Sequence, residues 1–225
     1  MDEKELPQVL KEGLIITMNW DIMDFLIRGG IFMIPLCLCS VAALAIVLEK
    51  AFALRRGRVM PKELIHLIQI YPRESQKLNL KAAEGKSSLS RLIQLSLNHQ
   101  DFTKSETLEA LQMQAKHEVV TLERGLVVLE IIVGIAPLLG LLGTVSGLVK
   151  IFENVGMQGL STQGMQMARG ISEALNTTVA GLVIAIPALT FWSYYNKKVE
   201  SLSAEMESLC GEFLSHLYRS RLSSG

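Results

Sequence analysis

Six side chains could do chemistry because of where they sit. Thr144 and Ser146 interrupt the apolar stretch 132–152 (IVGIAPLLGLLGTVSGLVKIF), and Glu173, Asn176, Thr177 and Thr178 interrupt the stretch 170–195 (GISEALNTTVAGLVIAIPALTFWSYY). Each stretch is long and apolar enough for a helix to cross a bilayer. A carboxyl group in hydrocarbon is expensive and by default marks an ion or proton pathway. Hydroxyls donate and accept hydrogen bonds without adding a fixed charge, which suits them to orienting water along such a path. The residue types alone leave a second reading open: a helical threonine bonds its own backbone, and Glu173 fits a carboxylate at the outer rim.

Depth favours the pathway. Thr144 lies twenty residues beyond Arg124, and Thr178 lies nineteen residues before Lys197. At a rise of about 1.5 Å per residue, both sit roughly 30 Å above the basic ends of their helices. Glu173 comes a little over one turn higher.

Three apolar blocks must hold these groups. The first, 29–48 (GGIFMIPLCLCSVAALAIVL), is twenty residues without a charge. A soluble domain is conceivable from length alone. Yet the 49% of hydrophobic residues gather in blocks while the 20% of charged residues lie between them. The zero net charge is uninformative for the same reason. The sequence therefore predicts an all-α polytopic membrane protein. A polar leader with an amphipathic piece around 14–25 occupies 1–28. The first span covers 29–48, a cytoplasmic helical region 49–125, the second span 126–152, a short loop 153–163, the third span 164–195 and a cytoplasmic helix 196–225.

Orientation follows from basic residues. Lys50, Arg55, Arg56 and Arg58 follow the first span and Lys197 and Lys198 the third, whereas only Arg28, against Asp21 and Asp24, precedes the first. The positive-inside rule then puts the N-terminus and the 153–163 loop in the periplasm, and 49–125 and the C-terminal tail in the cytoplasm. Trp20 suits an interfacial anchor. The acidic start MDEKELPQVLKEG carries no sign of a cleavable signal peptide.

In the region 49–125, Pro61-Lys62-Glu63 opens a short helical segment that ends before Pro72, and 85–90 reads as a loop. Thr103-Lys-Ser-Glu106 has the form of a capping box. Leu108, Leu111, Ala115, Val119, Leu122 and Leu126 then form one stripe on a helix expected to run straight into the second span. Val199, Leu202, Met206, Leu209, Phe213 and Leu217 form another beyond the third span. Both stripes would pack on each other or on neighbouring subunits.

Small residues mark a packing face. Gly140, Thr144 and Gly147 share one helical side, Gly143 and Gly147 make a G-x-x-x-G step, and Ala180 and Gly181 offer small surface on the third span. Helices in lipid associate by close backbone approach at such places. Pro137 and Pro187 each remove an internal hydrogen bond and can kink their helices. Cys37, Cys39 and Cys210 form no disulfide framework and read as small packing residues. His66, His99, His117 and His216 all lie outside the spans, which contain no Ser–His pair, Asp pair or H-E-x-x-H. Neither an enzyme nor a resident metal or cofactor is expected, and the bilayer, not nucleic acid, is the surrounding partner. A passive membrane scaffold is an alternative, and the carboxylate with aligned threonines in the spans counts against it.

Residues 136–147 (APLLGLLGTVSG) and 170–181 (GISEALNTTVAG), followed by 185–188 (AIPA), resemble the ExbB/TolQ/MotA proton-channel family, closest to the ExbB/TolQ branch. The likeness in span number, topology and long cytoplasmic segment extends over nearly the whole chain. Flagellar-stator MotA proteins usually have four spans, so the three spans here make a stator-like subunit the weaker alternative. The resemblance implies a homo-oligomer, typically a pentamer, around a central pore that encloses single-span ExbD/TolR-type partners whose aspartate carries protons. It places the pore threonines on Thr144 and Thr178 and the motif glutamate on Glu173. It also implies that protons are the translocated ion and that a TonB- or TolA-like client is energised. Ser146 stands where many members have an aromatic residue and Asn176 where an aliphatic one is usual. Both make the seam more polar here.

Overall fold

The computed structural model describes residues 30–99, 101–155 and 163–222. The leader 1–28, with its amphipathic piece and Trp20, and most of the 153–163 loop lie outside them. Among the described residues there is no strand, and eight helices follow one another. They are α1 (Met33–Ala53), α2 (Arg56–Val59), α3 (Lys62–Gln69), α4 (Ser75–Glu84), α5 (Ser88–Asn98), α6 (Lys104–Glu123), α7 (Leu126–Val155) and α8 (Gln163–Leu222). Three of them, α1, α7 and α8, are long and apolar enough to cross a membrane. The protein is an all-α polytopic membrane protein.

The first span is shifted from its apolar block at 29–48. It begins at Met33, after a turn in which Gly30 takes φ +70°, and continues through Glu49 and Lys50 to Ala53. Polarity does not stop a helix, because glutamate and lysine are good helix formers.

The described residues form two units. One comprises 30–44, 128–155 and 163–190; the other comprises 45–127, without residue 100, and 191–222.

The second unit has a continuous apolar core. Leu54, Met60, Ile68, Leu78, Leu89, Leu92, Ile93, Met206 and Phe213 are wholly buried in it. The stripe from Val199 to Leu217 on α8 is buried throughout. On α6, Leu111 and Ala115 are buried, Val119 and Leu122 pack partly against the core, and Leu108 stays 40% exposed. The capping box at the start of α6 is complete: Thr103 Oγ1 accepts from the Glu106 N–H while the Glu106 carboxylate accepts from the Thr103 N–H. The expected loop at 85–90 is shorter, since Ser87 Oγ accepts the Ser90 N–H at 3.1 Å and α5 starts at Ser88.

One expectation is overturned. The stripe 108–126 does not lie on a single helix running into the second span. Helix α6 ends at Glu123, Arg124 turns extended (φ −50°, ψ 133°), and Gly125 takes φ +85°, a left-handed conformation that a glycine adopts without a Cβ penalty. The buried Lys50 ammonium donates to the Leu122 carbonyl at 3.0 Å, satisfying a last-turn acceptor where a cation is favoured. Lys50 is therefore a helix cap rather than one more solvated cation behind the first span.

The cysteines divide as well. Cys210 is buried in the core and packs as expected, but Cys37 is exposed on α1.

Candidate functional site

The site belongs to the first unit, where α7 and α8 touch through small residues. A Cβ added at Gly181 would lie 2.5 Å from the Ala136 carbonyl oxygen, and one at Gly140 2.7 Å from the Thr177 carbonyl oxygen. At Gly143 it would meet Thr177 Oγ1 at 2.6 Å, and at Gly147 the Ala174 Cβ at 2.8 Å. All four glycines thus mark one close helix–helix contact, with backbone against backbone at Gly140 and Gly181. The glycine face of the second span packs against the chain's own third span. Pro137 and Pro187 lie inside α7 and α8, and both helices continue through them.

Close approach brings three hydroxyls to one carbonyl. Thr144 Oγ1 donates to the Gly140 carbonyl, four residues back on its own helix, at 3.0 Å. From α8, Thr177 Oγ1 reaches the same oxygen at 3.0 Å and Thr178 Oγ1 at 3.2 Å. Thr144 and Thr178 also hydrogen-bond each other. Thr177 has a second acceptor, the Ala174 carbonyl at 2.8 Å. Both readings of the threonines are therefore present: Thr144 and Thr177 bond their own helices, and all three link α7 to α8.

The three are not equivalent. Thr177 is 2% exposed and Thr144 8%, both inside the contact, whereas Thr178 is half-buried at its edge. Each hydroxyl carries one proton, so the pair can run Thr144 to Thr178 to Gly140, or Thr178 to Thr144 to Gly140. Switching between these arrangements needs only O–H rotation. Ser146 on α7 and Asn176 on α8 are half-buried and take no part in the cluster. Glu173 belongs to α8, but its side chain lies outside the described residues. Sequence reading treated Gly140 as a packing position only. Its carbonyl, the hub of the cluster, has no signature in residue type.

Among the described residues, no group of three His, Cys, Asp or Glu side chains could hold a metal ion. The arrangement can orient protons and water.

Fold and site together define a multi-pass helical membrane protein with a polar seam between two glycine-packed spans. The chain belongs to the MotA/TolQ/ExbB proton channel family, whose model matches residues 84–208, and within it to the ExbB/TolQ branch. It is 35% identical to an ExbB-like biopolymer transport protein of Synechocystis sp. over 78% of this chain and 71% of the relative. Biopolymer transport protein exbB1 of Vibrio cholerae is 32% identical over 71% of this chain and 72% of its own length. The Tol-Pal system protein TolQ of Haemophilus influenzae is 29% identical over 60% and 59%.

Proposed function

We propose that this chain is a non-enzymatic subunit of a proton-driven motor in the bacterial inner membrane, with its N-terminus periplasmic and its C-terminus cytoplasmic. Several copies, five by analogy with the family, surround the single span of an ExbD/TolR-type partner whose aspartate picks up and releases protons. Proton flow then moves a periplasm-spanning client of the TonB or TolA kind. The observation that carries this reading is the Thr144–Thr178 pair on the Gly140 carbonyl. It supplies reorientable hydroxyls within the two family motifs, without a fixed charge that would trap a proton.

Energetics set what such a path must deliver. One charge crossing 100 mV releases about 2.3 kcal/mol, so a sizeable conformational stroke draws on several protons.

Thr144→Val and Thr178→Val keep side-chain volume and remove the hydroxyl. Each is expected to abolish client activity while oligomer size on a native gel stays unchanged. Valine variants that assemble and remain fully active would reduce the cluster to helix packing.

A further inference from the structure

We propose that Thr177 is a positioning residue: its hydroxyl fixes the register of α8 on α7 so that Thr144 and Thr178 meet, and it carries no proton itself. This rests on the reading of Thr144 and Thr178 as a proton path. Residue type alone makes Thr177 and Thr178 look alike, but their surroundings differ. Thr177 is 2% exposed; its side chain fits the hollow left by Gly143, and its backbone carbonyl lies against Gly140. A Cβ at Gly143 would lie 2.6 Å from its Oγ1, 2.8 Å from its Cβ and 3.0 Å from its Cγ2, so the hollow is matched to all three atoms.

Hydrogen-bond arithmetic assigns the rest. A carbonyl oxygen has two lone pairs, and in a helix the Gly140 oxygen already accepts the Thr144 N–H. Three hydroxyls compete for what remains, at 3.0, 3.0 and 3.2 Å. Thr177 has its own alternative at the Ala174 carbonyl, 2.8 Å away. When Thr177 donates there, the Gly140 oxygen is left to the Thr144–Thr178 pair. When it donates to Gly140, one hydroxyl of the pair still donates to the other, and the remaining proton competes for the same oxygen. Thr177 thus ties α8 to α7 at the hub in one arrangement and frees the Gly140 oxygen for the pair in the other, while its side chain stays seated against Gly143 in both. Both acceptors of the Thr177 hydroxyl are backbone carbonyls, and the residue is only 2% exposed. Thr178 is half-buried and bonds a second hydroxyl, so it alone of the two can hand a proton to water or to Thr144.

The test separates shape from hydroxyl and position from conduction. Thr177→Val keeps the branched shape, and Thr177→Ser keeps the hydroxyl. Position is read from disulfide yield in Thr144→Cys/Thr178→Cys, made in full-length protein with Cys37, Cys39 and Cys210 changed to serine. The two hydroxyls bond directly, so cysteines at these positions face each other across the contact. Conduction is read from proton flux in liposomes containing the otherwise unaltered chain and its single-span partner. Thr177→Ser should retain both flux and disulfide yield. Thr177→Val should lower flux about tenfold, the scale of one buried hydrogen bond, and should reduce the disulfide yield in parallel. Unchanged yield and flux in Thr177→Val, with Thr144→Val and Thr178→Val inactive, would overturn the positioning role and leave the path standing. Loss of flux in Thr177→Val with full disulfide yield would instead make Thr177 a member of the path. Normal flux in Thr144→Val and Thr178→Val would overturn the path itself.

Discussion

At the scale of single residues, the molecule treats its polar groups in two ways. In the membrane unit they converge on one carbonyl; in the other unit they neutralise each other. Glu118 is 2% exposed, and burial alone would raise its pKa. Hydrogen bonds from Arg91, Ser88 and Gln114, with the Arg91 charge, more than offset that and hold the carboxyl below its ordinary range. A carboxyl depressed in the folded state stabilises above its unfolded pKa, about 4.3, and that contribution is lost as pH falls through the folded value. Arg91→Gln leaves the burial cost dominant and raises the folded pKa. Its penalty at pH 7 should be on the order of 2 kcal/mol, below that of a fully buried pair because Arg91 is 43% exposed. Thermal unfolding in detergent across pH 7 to 4 checks the sign: acid should narrow the gap between Arg91→Gln and the parent protein. A gap that widens in acid would contradict the assignment. The sequence displayed Thr144 and Thr178 clearly, because two hydroxyls at one depth in apolar helices stand out. It could not show that Thr177 is sealed or that Lys50 is a buried cap, since both depend on which helix lies opposite.

At the scale of elements, close approach decides what can change. Gly181→Ala puts a methyl 2.5 Å from a backbone oxygen and Gly140→Ala one at 2.7 Å, so either forces α7 and α8 apart. Overpacking of this kind costs about 1–3 kcal/mol, and both variants should lose proton flux along with stability. Gly134 has open space where a Cβ would go, and Gly134→Ala should be neutral or stabilise by up to about 1 kcal/mol. Thermal unfolding of the three variants side by side gives the ranking; a destabilised Gly134→Ala with a tolerant Gly181→Ala would contradict the contact. The small-residue face was legible in the sequence, but its partner was not: it is used within the chain, against Ala136, Ala174 and Thr177. The break between α6 and α7 was missed because the apolar stripe keeps its period across it. Gly125 was the available signal, and a lone glycine in a helical pattern is an ambiguous one. Helix α4 has little signature of its own within the helical region 49–125, because its short run SQKLNLKAAE buries only Leu78 and Ala82.

At the scale of the whole molecule, three spans were legible because twenty-residue apolar blocks separated by charge have one physical solution in a bilayer, and the extension of the third span was legible from its continuing stripe. Orientation is a proposal resting on Arg55, Arg56, Arg58, Lys197 and Lys198. A reporter cysteine replacing Gly159 should be labelled from outside intact spheroplasts, and one replacing Gly85 only after permeabilisation. Labelling at Gly85 in intact spheroplasts would invert the topology and the direction of proton flow. The central claim is that hydroxyls on α7 and α8 form part of a proton path completed by a partner span. The most direct test is proton flux into liposomes driven by an imposed pH gradient, measured for the chain alone and with a single-span ExbD/TolR-type partner, in parent, Thr144→Val and Thr178→Val forms. The account predicts flux only with the partner and only in the parent protein, all three forms assembling alike. Equal flux from the valine variants, or no flux from the parent complex, would contradict it.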